Sequence, residues 1–226
     1  MHRAAPPTSL PELEARAAAI IGLSLGQLAA DLGAGVPTEL RRAKGWIGQL
    51  VEAALGAEAG SKPTPDFEAL GVELKTIPVA EDGRPHESTF VCTAPIEGAF
   101  EASWEESRVR RKLARVLWVP VWGRRGEDLA TRVIGRPRLW VPDPQEEAAL
   151  AQDWRDLSEL IVGGELHRIH GRLGRVLQLR PKGANAGDFA WMMDEEGEWV
   201  RAVPYGFYLR ARFTRAVIGR RRREGP

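Results

Sequence analysis

The run Asp66-Phe-Glu-Ala-Leu-Gly-Val-Glu-Leu-Lys-Thr-Ile-Pro78 reads as a turn that feeds one short strand. After Gly71, Val72, Leu74 and Thr76 alternate with Glu73, Lys75 and Ile77, the two-residue period of a strand with unlike faces. Pro78 then withdraws the backbone donor that a longer strand would need. Glu73 and Lys75 therefore share a face, with Asp66 entering from the preceding turn. Two carboxylates and an amine at one strand are what metal-assisted phosphodiester hydrolysis requires. Carboxylate oxygens hold a hard divalent cation, while an ammonium orients water or stabilises charge on phosphate. The same residues also describe an edge strand whose charged face lies in water, so the run alone leaves both readings open.

The totals set bounds around it. A chain of 226 residues suffices for one good core or two small lobes, and 43% hydrophobic with 28% charged residues is ordinary for a soluble globular protein. The single cysteine, Cys92, excludes an internal disulfide and suits a reducing compartment. With no apolar run of about eighteen residues and no basic, apolar leader, a cytoplasmic protein that avoids membranes is expected. A net charge of +1 argues against a protein that coats DNA indiscriminately. The charge is segregated, however. Acidic residues gather at 143–159 and 194–198. Arg108, Arg110, Arg111, Lys112 and Arg115 form one basic cluster, and Arg210, Arg212, Arg215 and Arg220 to Arg223 another. Such segregation gives one face that can meet phosphate.

Along the chain, residues 1–8 are polar, proline-rich and expected to be disordered. Ser9-Leu-Pro-Glu12 and Ser24-Leu-Gly-Gln27 are helix starts, predicting helices to about Ile21 and Gly33. Between Gly45 and Leu55, Ile47, Leu50, Val51 and Ala54 recur at helical spacing. Glu52 borders that stripe, where it can aim into a cleft or simply face solvent. Glu81-Asp-Gly-Arg84 reads as a hairpin turn, with Thr89–Thr93 as the partner strand. A helix over Trp104–Leu113 would align Arg108, Arg111, Lys112 and Arg115 at spacings of three and four, a row able to follow phosphates. An apolar strand, Val116–Val121, follows. Asp143-Pro-Gln-Glu146 is the clearest helix start, with Leu150, Trp154, Leu157 and Ile161 as its buried stripe and Gly163-Gly164 as its end. Leu166–Ile169 and Arg175–Leu179 are expected to form a hairpin across Gly171-Arg-Leu-Gly174. His167 and His170 are too isolated to suggest zinc. Arg180-Pro-Lys-Gly-Ala-Asn-Ala186 is a loop whose cations can reach base edges or merely turn the chain.

Several segments carry a resemblance: Lys44-Gly-Trp-Ile-Gly-Gln-Leu-Val-Glu52, Ala59-Gly-Ser-Lys-Pro63, Asp66-Phe67, Gly71-Val-Glu-Leu-Lys-Thr-Ile-Pro-Val79, Ser88-Thr-Phe-Val-Cys92, Arg111-Lys-Leu-Ala-Arg-Val-Leu-Trp118, Arg180-Pro-Lys-Gly-Ala-Asn-Ala186 and Gly206-Phe-Tyr-Leu209. From about residue 10 to about 217 the chain resembles the MutH family of methyl-directed DNA mismatch repair endonucleases. The resemblance implies an α/β fold, with a restriction-endonuclease-like mixed sheet flanked by helices and two lobes around a DNA-binding cleft. Residues 1–105 would carry catalysis and residues 106–226 DNA recognition. It further implies Mg²⁺-dependent nicking of the unmethylated strand at hemimethylated GATC, 5′ to the guanine, with Mn²⁺ as a substitute cation. Partners would be double-stranded DNA, MutL as activator and MutS indirectly, and the chain would act as a monomer.

By the same resemblance, Glu52, Asp66, Glu73 and Lys75 are catalytic, and Asp66, Glu73 and the Leu74 carbonyl hold the metal. Lys44, Lys62, Phe90, Lys112, Arg180, Pro181, Lys182 and Tyr208 would contact DNA. Arg180, Pro181 and Lys182 read bases, and Tyr208 stands where an added adenine methyl would collide. Tyr205 departs from the arginine expected there, and Arg220-Arg-Arg-Arg223 is unfamiliar. The rivals are a GATC-specific restriction-like endonuclease, which would cut both strands, and a DNA-binding relative without catalysis. One active-site set and no internal repeat favour nicking.

Overall fold

The computed structural model describes residues 1–38, 45–58, 64–94, 103–124, 126–163, 165–182, 190–193, 199–202 and 204–220. Its helices are α1 (Leu10–Ala19), α2 (Leu25–Asp31), α3 (Trp46–Leu55), α4 (Arg108–Leu113), α5 (Pro144–Val162) and α6 (Ala211–Gly219). The strands are β1 (Glu73–Val79), β2 (Thr89–Thr93), β3 (Val116–Trp122), β4 (Val133–Ile134), β5 (Arg138–Trp140), β6 (Leu177–Pro181), β7 (Ala190–Met193), β8 (Trp199–Ala202) and β9 (Tyr205–Leu209). This is the mixed α/β composition expected. The chain divides into two compact units, one of residues 1–87, 114–141 and 215–226, the other of 88–113 and 142–214. A single cut between 105 and 106 does not describe that division. Residues 114–141 return to the first unit because β3 is the parallel partner of β1.

In the first unit, β1 and β3 run parallel in an unbroken register from Glu73↔Val116 to Val79↔Trp122. The other edge of β3 pairs antiparallel with β5 and β4. Six consecutive residues of β3 are buried, as a strand covered on both faces demands. The core collects Leu13, Leu25, Leu50, Leu55, Val72, Leu117, Val119 and Ile134. Ser9 caps α1 through the Glu12 N–H, and Ser24 with Gln27 forms a reciprocal capping box on α2.

Two expectations fail in this unit. Pro78 does not end β1, which continues to Val79. The strand's partner in the sheet is β3, so a missing N–H on its other edge breaks no ladder bond. Residues 1–8 are also not loose. The N–H of His2 donates to Leu32 O at 2.7 Å and that of Ala4 to Ala53 O at 2.9 Å, and Pro7 is buried. Arg3 and Arg16 add side-chain hydrogen bonds to Ala57 O and Ala5 O.

The second unit is built on an antiparallel sheet in the order β2-β9-β6. Thr89–Thr93 is a strand as predicted, but it pairs with β9 instead of folding back on β1, with a bulge between Phe90 and Cys92. Helix α5 starts at the predicted Asp143 capping box, which accepts from the N–H groups of Gln145 and Glu146. Its inner face buries Leu150, Trp154 and Leu157, and Ile161 is half-buried. That face also buries Asp153, whose carboxylate accepts from the N–H groups of Arg175, Val176 and Leu177 at 2.8, 2.6 and 2.8 Å. This pins the start of β6.

The predicted hairpin across 171–174 does not form. Leu166–Arg168 is a 3-10 turn, and β6 begins at Leu177 and pairs with β9. Gly174 (φ +76°) makes the approach possible, since a Cβ there would lie 1.9 Å from Leu177 O. Arg210 then closes the turn by donating to Gly171 O, Leu173 O and Gly174 O.

Candidate active site

Glu73 opens β1 with its N–H bonded to Arg115 O at 2.9 Å, so the strand pairing itself sets where its side chain leaves. The carboxylate is buried, 3% exposed, and Lys75 Nζ donates to its Oε1 at 2.7 Å. This is the shared face predicted from the two-residue period. Asp66, 7% exposed, enters from the loop before β1, and its Oδ2 accepts the Leu74 N–H at 2.8 Å. Backbone bonds from Phe67 N to Val72 O and from Glu58 N to Asp66 O hold that loop closed. Asp66 is thus tied to the strand between Glu73 and Lys75.

Glu52 comes from α3, half-buried. An added Cβ on Gly48, one turn earlier, would stand 3.8 Å from both Glu52 Oε1 and Thr76 Oγ1. Burial pushes the Glu52 carboxyl above its ordinary range, and the charge of Asp66 pushes it further. Arg3 opposes the rise, Glu73 adds to it and Lys75 opposes it. The other three side chains of the predicted set therefore all act on Glu52. This excludes the reading of a strand whose charges merely face water, because two of the four groups are buried and all are electrostatically coupled.

The donor set is three carboxylates, hard oxygen ligands suited to a divalent cation of the Mg²⁺ class. Among the described residues no three His, Cys, Asp or Glu side chains are gathered tightly enough to form a ligand cluster by themselves. The expected set is smaller than such a cluster: Asp66, Glu73 and the Leu74 carbonyl. Mg²⁺ is commonly held by one or two carboxylates together with water and substrate phosphate. The residues present fit that kind of site.

A second group of predicted residues lies on the β2-β9-β6 sheet. Arg180 and Pro181 are the last residues of β6, with Lys182 next, and all three are exposed. The Arg180 guanidinium stands 5.7 Å from the centroid of the Tyr208 ring, and Lys182 Nζ stands 5.4 Å from that of Phe90. Phe90 and Tyr208 meet edge to face, centroids 5.3 Å apart. Gly206 supplies the notch they share, since a Cβ there would be 2.9 Å from the Phe90 ring and 3.1 Å from the Tyr208 ring.

Comparison with known proteins shows the family. The family model described as "DNA mismatch repair enzyme MutH" matches residues 55–153. The DNA mismatch repair protein MutH of Klebsiella pneumoniae is 52% identical over 217 residues, which is 96% of this chain and 94% of the relative. The chain belongs to the MutH family. MutH of Shewanella amazonensis is 52% identical over 218 residues (96% and 97% of the two chains), and MutH of Vibrio cholerae 50% over 214 (95% and 97%).

Of the side chains that the MutH resemblance assigns to DNA, Lys44 and Lys62 lie outside the described residues, as do residues 183–186 of the recognition segment. Phe90 is exposed at 36%, as a residue that meets a ligand must be. Lys112 is 8% exposed, on a helix of six residues that also buries Val109 and Leu113. The expected row of cations is not one face. Arg108 and Arg111 are exposed, whereas Arg115 lies beyond the helix and donates to Leu70 O at 3.0 Å. The predicted helix from Trp104 begins only at Arg108, because Ser107 caps it through the Arg110 N–H. His167 and His170 are exposed as predicted. The residues missed were Gly206, Ser88 and Thr93. The pattern of small residues beside aromatics in Gly206-Phe-Tyr was the one available signal for the notch.

Proposed function

We propose that this chain is a Mg²⁺-dependent endonuclease of mismatch repair that nicks the unmethylated strand of hemimethylated GATC, 5′ to the guanine. The observation that carries this reading is the coupling of Glu52, Asp66, Glu73 and Lys75 around the start of β1. Bound Mg²⁺, with Mn²⁺ as a substitute, supplies the lowered pKa of an attacking water and neutralises charge on the phosphate. Asp66 and Glu73, with the Leu74 carbonyl between Glu73 and Lys75, would hold it. The Leu74 N–H fixes the orientation of the Asp66 carboxylate, the outer-shell support a ligating carboxylate needs. Lys75, which donates to the Glu73 carboxylate, is positioned to orient water and stabilise charge on phosphorus. Glu52, electrostatically coupled to Asp66, Glu73 and Lys75, would be the acidic residue that supports the metal site.

Selectivity falls to the second group. Arg180 and Lys182 present donors to guanine acceptors, Pro181 fixes the backbone between them, and Tyr208 meets the adenine. One methyl that merely fills or vacates space changes binding by only ~1–3 kcal/mol, so sharper rejection needs a clash that also misplaces the catalytic groups. The restriction-endonuclease-like fold, DNA held between two lobes, a cytoplasmic monomer, and activation by MutL after MutS detects a mismatch complete the proposal.

The test is strand cleavage on unmethylated, hemimethylated and fully methylated GATC duplexes, with Mg²⁺ or a chelator, and with and without MutL. Nicking confined to unmethylated strands, dependent on Mg²⁺ and raised by MutL is expected. Scission of both strands in one encounter would favour the restriction-like rival, and no cleavage under any condition the inactive relative.

A further inference from the structure

Arg180 and Lys182 are two residues apart at the end of β6 and leave the sheet on one side. Long cationic side chains in that setting normally sample many rotamers. Here each is held twice. Arg180 Nη1 donates to Ser88 Oγ at 2.7 Å while its guanidinium lies against Tyr208. Lys182 Nζ donates to Thr93 Oγ1 at 3.3 Å while it lies against Phe90. Ser88 immediately precedes β2 and Thr93 is its last residue, so the two hydroxyls bracket the strand that carries Phe90. The contacts run in one chain: hydroxyl, guanidinium, ring, ring, ammonium, hydroxyl.

We propose that Ser88 and Thr93 are positioning residues for base recognition: their hydroxyls fix Arg180 and Lys182 in the conformation that meets the GATC site before DNA arrives. The inference rests on the nuclease reading above. Holding a rotamer-rich side chain in its bound conformation lowers the entropy lost on binding. Neither hydroxyl needs to touch DNA for this, and both hydrogen bonds are solvent-exposed, so they contribute little to folding.

The full-length protein carrying Ser88→Ala or Thr93→Val is compared with wild type for nicking kinetics on GATC duplexes, binding to duplexes with and without GATC, salt dependence and melting temperature. Each substitution should raise KM and weaken GATC binding by about two- to tenfold, the effect of freeing one such side chain. Binding to duplex without GATC, the salt slope and the melting temperature should stay as in wild type, because phosphate contacts and core are untouched. Ser88→Thr, which keeps the hydroxyl, should restore the Ser88→Ala loss. Equal weakening on both duplexes, an unaltered preference for GATC, or no rescue would overturn the positioning role while leaving the nuclease reading standing. A wild-type protein that neither nicks nor prefers GATC would overturn both.

Discussion

Replacing Lys75 by alanine separates two properties that its ammonium serves together. The Nζ to Oε1 distance of 2.7 Å and the 3% exposure of Glu73 make this an ion pair with one partner essentially out of water. Removing one member of a buried pair costs roughly 3–5 kcal/mol, because the other charge stays behind without it. The Lys75 side chain is 17% exposed, which favours the lower end, about 3 kcal/mol. Against a total stability of about 5–15 kcal/mol, the variant still folds. For a chain of this size the melting temperature should fall by roughly 6–12 °C. Nicking should fall by on the order of 10²- to 10³-fold, the usual cost of one electrostatic stabiliser. DNA binding should persist, since the recognition side chains lie on another sheet. Mg²⁺ should raise the melting temperature of the variant more than that of wild type, because the cation replaces part of the missing charge beside Glu73. The assays are thermal melts with Mg²⁺ or chelator, mobility shift on GATC duplex, and nicking under single turnover. A variant that melts and nicks like wild type would refute the reasoning, as would one that loses DNA binding in parallel with cleavage.

Three further outcomes are expected. The carboxyl of Glu52 has its pKa raised above the ordinary carboxylate value, so its contribution to stability is full below that ordinary value and is lost as pH rises through the elevated one. Glu52→Gln should remove this decline and melt higher than wild type at neutral pH in chelator, while losing activity; an unchanged pH dependence of melting would contradict the assignment. Asp153→Ala strands three backbone N–H groups and should cost roughly 3–6 kcal/mol, at ~1–3 kcal/mol per lost acceptor after partial relaxation. Chemical denaturation measures it, and a loss under ~1 kcal/mol would show that water replaces the carboxylate. Tyr208→Ala should cut methylated strands comparatively better than wild type, and an unchanged ratio of rates on the two strands would remove Tyr208 from methyl discrimination.

Local chemistry was the legible part of the chain. Ser9, Ser24 and Asp143 announce helices because a cap needs only its own next three residues, and all three helices start there. The strand carrying Glu73 and Lys75 was legible for the same reason, and so was the face they share. What failed depended on partners distant in sequence. Pro78 looks like a terminator until β1 is seen to have its sheet partner on one edge. Thr89–Thr93 looks like the second arm of a hairpin, yet its partner β9 is more than a hundred residues away. Leu166–Ile169 looks like the first arm of a hairpin with the segment that becomes β6, but it forms a 3-10 turn and β6 takes its partner from β9, far along the chain. The polar opening residues look disordered because composition cannot reveal the carbonyls of Leu32 and Ala53 waiting for them. Within the site, Glu52 was ambiguous by periodicity, since its position on the helix border becomes decisive only when Asp66 arrives from the next loop. Ser88 and Thr93 carried no signal because serine and threonine at strand ends are unremarkable until two cations are found on them.

The strap formed by the first residues reaches further than anchoring. The positive charge of Arg3, like that of Lys75, opposes the rise in the Glu52 pKa, and Arg3 belongs to that strap. Fusing a tag there, or trimming a handful of residues by proteolysis, would therefore retune a reaction centre some fifty positions along the chain without altering any residue in it. Preparations that differ only at their leading end should not be assumed interchangeable in rate measurements.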